Sequence, residues 1–182
     1  MLFAPDTEAV LSFAVELINT ASGATKSGVD ELQTIAQLGT IVRENRYSGR
    51  IDRNAAELAE VRETRDRLRE VWSLPRDDMA HAVNTMLRDA NAQPFLIRHD
   101  DFDWHLHATE ADAPLAERMR VEVGLALLDV VRTDQVDRLR ECEATDCDGV
   151  LADLSRNGSK RFCSVRCGNR VNMTAWRARQ ED

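Results

Sequence analysis

Apolar residues recur every three to four positions in five stretches of the chain, the spacing of amphipathic helices. Over residues 7–19 they are Val10, Leu11, Phe13, Ala14, Leu17 and Ile18, and over 30–45 they are Leu32, Ile35, Leu38, Ile41 and Val42. Residues 52–72 predict a long, charged helix with a thin apolar side of Ala55, Leu58, Val61, Leu68 and Val71. Pro75 stands at the favoured first position of a fourth helix that runs to about residue 90, and Pro114 opens the most apolar one, 115–131. Between these last two the period drops to two. Residues 94–98 and 102–109 predict an antiparallel hairpin, with Phe102, Trp104 and Leu106 on one face and Asp101, Asp103, His105 and His107 on the other. The apolar face is expected to dock on helix 115–131, since a one-residue slip would bury Asp103 and His105 instead.

Beyond residue 137 the elements shorten. Two strands, 138–142 and 149–154, flank the turn Thr145-Asp146-Cys147-Asp148-Gly149; a turn-rich loop, 155–159, follows. Ser164 suits the start of a last helix reaching about residue 180. All four cysteines fall here, as Cys142, Cys147, Cys163 and Cys167, in the spacing C-x4-C-x15-C-x3-C. Two close pairs of thiols in a chain with no export signal read as a structural zinc site, because cytosolic thiols stay reduced and Zn2+ takes four tetrahedral sulfur ligands. The fold class is therefore mainly α with a small antiparallel β-hairpin, closed by a C-terminal treble-clef-like zinc finger of a short hairpin plus a helix. The expected division is an acidic helical domain over 1–137 and a finger over 138–182, with the finger melting by itself when metal is lost.

Charge sharpens that division. The chain has 182 residues, 43% hydrophobic and 31% charged, which is enough to bury a core. Its net charge of −8 is uneven: residues 1–141 carry −9 and residues 142–182 carry +1. Residues 155–180 hold Arg156, Lys160, Arg161, Arg166, Arg170, Arg177 and Arg179 and no acid. A local basic stripe can meet phosphates even on an acidic protein. No apolar run reaches the roughly 18–20 residues of a membrane span. Asp6, Glu8 and Glu16 break up the N-terminal apolar stretch, so a cytoplasmic protein with no membrane partner is expected.

Arg161-Phe162-Cys163-Ser164 followed by Cys167-Gly168-Asn169-Arg170 resembles the CGNR zinc finger, and Cys142, Cys147, Asp153 and Ser155-Arg156-Asn157 fit the same pattern. The body resembles the ABATE domain that commonly precedes this finger, in Glu16-Leu17-Ile18-Asn19-Thr20, in Trp104-His105-Leu106-His107 and in Ala113-Pro114-Leu115-Ala116-Glu117-Arg118. The resemblance implies a stress-induced bacterial transcription regulator that binds DNA. The chain departs from the family pattern after Arg170, where Val171-Asn172-Met173-Thr174-Ala175-Trp176 replaces a more basic run.

On a helical wheel Arg170, Met173 and Arg177 share a stripe with Arg166, while Cys167, Val171, Thr174, Ala175 and Ala178 are expected to face the zinc and the hairpin. Arginine can donate two hydrogen bonds to guanine and asparagine can do the same for adenine, so Arg156, Arg161, Arg166, Asn169, Arg170 and Arg177 are candidate DNA contacts. A protein interface is the alternative use, since Trp176 and arginines are favoured anchors, and would make the chain a zinc-containing adaptor. One finger covers little DNA, so a homodimer is expected. No nucleotide-binding, nucleophile-elbow or zinc-protease motif is present, and an enzyme is not expected. His-x-His beside Asp100, Asp101 and Asp103, with His99 nearby, can bind a metal but also suits an exposed strand face. A pocket for an unidentified small molecule is placed at Trp72, Phe95 and Trp104, with Phe102 also at hand.

Overall fold

The computed structural model describes residues 2–98 and 103–181 of the chain. Five helices form the body: α1 (Pro5–Ile18), α2 (Ile35–Glu44), α3 (Ala55–Trp72), α4 (Arg76–Asp89) and α5 (Leu115–Arg132). Their starts follow from local chemistry. Thr34 opens α2 with a capping box, its hydroxyl accepting from Gln37 N while Gln37 returns a bond to Thr34 N. This places the start of α2 five residues later than the periodicity suggests, because Asp30 is used elsewhere: it accepts from Leu32 N in a turn and pairs with Arg65 at 2.9 Å. Asn54 caps α3 through Glu57 N. Pro75 sits just before α4 rather than inside it.

Helix α5 is the centre of the body and packs against α1, α3 and α4. Its buried side supplies Leu115, Met119, Val123, Leu127 and Val130, which meet Leu11, Leu17 and Ile18 of α1 and Leu68 and Trp72 of α3. Two buried arginines act as braces. Arg65 joins Thr20 and Asp30, and the Arg118 guanidinium donates to the carbonyls of Ala113, Ser48 and Arg50. Among the described residues no helix is long and apolar enough to cross a membrane.

Between α4 and α5 lies the expected hairpin, β1 (Phe95–Ile97) paired antiparallel with β2 (His105–His107), Leu96 opposite Leu106. Its orientation reverses the expectation. Trp104 is 63% and Leu96 61% exposed, and Leu106 is also open, while His105 and His107 are partly covered; all three residues of β2 border a cavity of the body. Alternation defines two faces correctly, but here the polar one is the more covered, beside a cavity that has polar walls. Phe102, expected on the apolar face, lies outside the described residues, as do His99, Asp100 and Asp101.

After a single 3-10 turn (Val136–Arg138) come β3 (Leu139–Glu141), β4 (Val150–Ala152) and α6 (Val165–Glu181). This second hairpin is not a free module. Leu139, Val150 and Ala152 belong to the same apolar core as α1 and α5. In the ladder, Cys142 N–H bonds Gly149 O, so antiparallel alternation turns Val150 N–H and C=O outward. The Asn19 side chain fills that edge: its Oδ1 accepts from Val150 N at 2.8 Å and its Nδ2 donates to Val150 O at 2.9 Å. A side-chain amide thus stands in for a neighbouring strand and fastens the end of α1 to β4.

Candidate metal centre and finger helix

The hairpin's other side meets the cysteines. Cys142 and Cys147 flank the turn between β3 and β4, Cys163 lies just before α6, and Cys167 lies in its first turn. Ser164, the residue before the helix, accepts Cys167 N–H at 3.3 Å and so caps it. The four Sγ atoms all lie within 4.8 Å of one another, and among the described residues this is the one compact group of three or more metal-binding side chains. Cys147–Cys163 and Cys163–Cys167 are both 3.7 Å apart. A tetrahedron with Zn–S bonds of about 2.3 Å has edges of about 3.8 Å. The donor set therefore fits a tetrahedral thiophilic ion.

Gly149 shows how tight the cradle is. A Cβ there would stand 3.0 Å from Cys163 Sγ, 3.2 Å from Cys147 Sγ and 3.3 Å from Asn19 Oδ1. Backbone N–H groups back up the sulfurs: Gly149 N donates to Cys147 Sγ and Cys163 N to Cys142 Sγ, both at 3.4 Å. Burial pushes the Cys147 and Cys163 thiols up. Burial also acts on Cys167, but the Ser164 hydroxyl and the surrounding thiols outweigh it and lower that group to about 7. Cys167, at a helix N-terminus, loses its proton more readily than Cys147 or Cys163.

The motif residues around the sulfurs have structural work. Gly168 lets the Phe162 ring lie close, since a Cβ would meet Cδ2 at 3.3 Å, and Arg161 stacks on that ring at 5.4 Å. Asp153 is fully buried, and its carboxylate accepts from Ser155 N, Ser155 Oγ and Lys160 N, which closes the 155–160 loop. Burial alone would raise its pKa; these bonds win and hold it below the usual carboxylate value.

Three of the six candidate DNA contacts are already engaged. Arg161 pairs with Glu143 at 2.5 Å, and Arg170 pairs with Asp146 at 2.6 Å while also donating to Cys167 Sγ. Arg166 reaches the carbonyls of Ala24 and Thr25. Arg156, Asn169 and Arg177 are exposed. Among the described residues neither Arg156 nor Arg177 meets a carboxylate. Thr174, Ala175 and Ala178, expected to face the hairpin, are exposed too, because α6 outruns the finger: every described side chain from Asn172 to Gln180 is open to solvent.

A family model for the CGNR zinc finger matches residues 138–180. A second, ABATE, described as "Putative stress-induced transcription regulator", matches residues 11–141. The chain belongs to the ABATE family. The ABATE and CGNR matches overlap over 138–141, the stretch that holds β3, where the structure also joins the finger to the body core. No curated protein matches the chain.

The ABATE body holds a cavity of about 340 Å³ between α1, the turn after α2, β2 and α5. Its floor is Val10, Phe13, Leu125 and Ala126, and its polar walls include Tyr47, Glu122, Asp129 and the two histidines. None of Trp72, Phe95 and Trp104 lines it. Trp72 is 1% exposed and fills the core against α1 and α5; Phe95 and Trp104, on the hairpin, are 40% and 63% exposed. Aromatic content marked the hairpin but not the cavity, whose residues are scattered from Asp6 to Asp129. Asn19, Gly149 and Asp146 were likewise missed. An Asn ending an apolar helix reads as a cap, and only Gly149, after Cys-x, offered a cue.

Proposed function

We propose that the protein is a DNA-binding transcription regulator whose finger holds zinc through Cys142, Cys147, Cys163 and Cys167. The observation that carries this is the free C-terminal half of α6. It leaves the body with Arg177 and Arg179 exposed beside Asn172, and it has the width to enter a major groove. Arg156 and Asn169 at the finger end extend the same surface. Arg161, Arg166 and Arg170 shape the finger and contribute charge rather than base contacts. A finger of this size covers roughly 600–1,000 Å² of DNA, so two copies would be needed for tight binding, and the working form is read as a homodimer in the cytoplasm. The body would then sense a small molecule in its cavity.

Met173 and Trp176, both about half exposed, favour a second reading in which α6 docks on a protein. Salt separates the two. With Arg156, Lys160, Arg177 and Arg179 on phosphates, log K against log[salt] should slope near about −3 to −4 for duplex DNA. Low-salt retention of genomic fragments by zinc-loaded protein is the assay. If no fragment is retained by the full chain at any salt, the DNA reading fails and the protein-docking one replaces it.

A further inference from the structure

Residues 21–29, between α1 and α2, read Ala-Ser-Gly-Ala-Thr-Lys-Ser-Gly-Val. The stretch has no acid, in a body whose net charge is −9, and it holds Lys26, the one lysine of residues 1–141. It is closed on itself. Glu31 N donates to Thr20 O at 2.8 Å, and the Thr25 hydroxyl donates to Val29 O at 2.9 Å. Gly28 takes the left-handed conformation, at φ 70°, that lets the chain turn back. Compact surface loops with joined ends are frequently functional.

The loop leans on the finger. Gly23 O accepts from Asp148 N at 3.0 Å, in the metal turn, and a Cβ on Gly23 would stand 2.1 Å from Asp148 Oδ2. From the first turn of α6, the Arg166 guanidinium donates to Ala24 O at 3.4 Å and Thr25 O at 3.3 Å. That contact fixes which side of α6 the loop occupies. Arg166 and Arg177 are eleven residues apart, which is three helical turns to within about 20°, so both side chains leave the same face. The loop therefore flanks the face that carries Arg177, about 16 Å back along the axis. Lys26 directly follows Thr25 and is exposed, as are Ser27 and Gly28.

A major groove is roughly 12 Å wide. When it receives the Arg177 half of α6, its bordering backbone lies where the helix emerges, on the loop's side. Contacts to that backbone fix orientation and register. Of the acids around the loop, Asp30 is held by Arg65 at 2.9 Å and Asp146 by Arg170 at 2.6 Å. Asp148 and Glu31 stay exposed on its flank, so the loop offers one cation, for one phosphate.

We infer that the 21–29 loop of the body is part of the DNA interface, with Lys26 on a backbone phosphate beside the groove that α6 enters. This rests on the DNA reading above, which drew every contact from the finger, and it carries the interface onto the ABATE body.

The test uses the full, zinc-loaded chain with two probes, a retained genomic fragment and an unrelated duplex of the same length. Each phosphate contact adds about 0.9 to the slope of log K against log[salt]. Lys26→Gln should flatten the slope by that amount, so that its deficit against wild type grows roughly eightfold between 1 M and 0.1 M salt. The deficit should be alike on both duplexes, because a phosphate carries no sequence. Lys26→Arg, which keeps the charge, should restore the slope. Arg88→Gln, which removes an exposed cation from α4, should leave it unchanged. In the unaltered chain, added duplex should slow amide exchange over residues 24–29. If wild type binds and Lys26→Gln has the same slope as Arg88→Gln, the loop is outside the interface while the finger's DNA reading stands. If wild type binds neither duplex, both fall.

Discussion

Replacing Asn19 by Ala tests whether the finger is built into the body. The side chain makes two hydrogen bonds, at 2.8 and 2.9 Å, to the outward N–H and C=O of Val150, a residue with no exposed surface. Alanine leaves both backbone groups buried and unpaired. Each orphaned group costs about 1–3 kcal/mol, and partial relaxation puts the pair at about 2–4 kcal/mol. That is a large share of the 5–15 kcal/mol typical of a folded domain. For a chain of this length it lowers the melting temperature by roughly 4–16 °C. Asn45→Ala is the control for capping alone, since Asn45 also ends a helix but, among the described residues, its side chain bonds only Glu16 and Ile41; it should cost under about 1 kcal/mol. Urea denaturation gives the stability difference, and chelator competition gives the retention of the finger's ion, which should fall with Asn19→Ala alone. A loss below about 0.5 kcal/mol would mean that the amide does not fasten β4, and the reasoning fails.

Gly149→Ala forces a methyl against Cys163 Sγ and Cys147 Sγ and should weaken metal binding at least tenfold in chelator competition; unchanged affinity would refute the cradle. Asp153 has a folded pKa below its unfolded value, so its stabilisation is complete above the unfolded pKa of about 3.9 and is lost as pH falls through the folded value. Asp153→Asn should therefore destabilise the protein at pH 7 and flatten the fall in stability below about pH 4, as read by denaturant midpoints across that range. Arg177→Ala should flatten the salt slope of DNA binding by about one. Arg170→Ala, which breaks contacts to Asp146 and Cys167, should act first on metal retention; the reverse pattern would exchange their roles.

The helices, both hairpins and the cysteine set were legible because each is a local pattern: apolar period, capping residue, paired thiols. What was not legible depends on distant partners. The inward face of β2 could not be chosen from alternation, since hydrophobicity favours Trp104 and Leu106 and only the cavity wall makes the histidine face the covered one. The start of α2 was placed too early because Asp30 resembles a helix residue until Arg65, thirty-five positions on, claims it. The wheel puts Arg166, Arg170 and Arg177 on one stripe by angle, yet Asp146, in the metal turn, neutralises Arg170, as Glu143 does Arg161 ahead of the helix. The wheel also assumed a hairpin long enough to cover all of α6, and β3 and β4 are three residues each.

Those short strands decide what metal removal does. A detachable finger would unfold alone, leaving a body with its own core. Here Leu139, Val150 and Ala152 are part of the body core on one side of the hairpin, and Cys142 and Cys147 belong to the cysteine cluster on the other. Structural zinc in small fingers supplies about 10–16 kcal/mol of apparent binding free energy, much of it folding free energy. Three-residue strands cannot hold themselves without that contribution. When the sulfurs are released, the hairpin loosens, and with it the Val150 edge that pairs Asn19 and the Asp148 N–H that bonds Gly23 O. Hydrogen exchange on metal-loaded and chelated protein should therefore show new exchange in α6 and the 155–164 loop. It should also spread through β3 and β4 into the last turn of α1 and residues 19–24. The centre of α5 should stay protected, because α1, α3 and α4 still cover it. Exchange confined to residues 155–181 would mean that the hairpin stands on the body without the ion, and that the finger is an appendage after all.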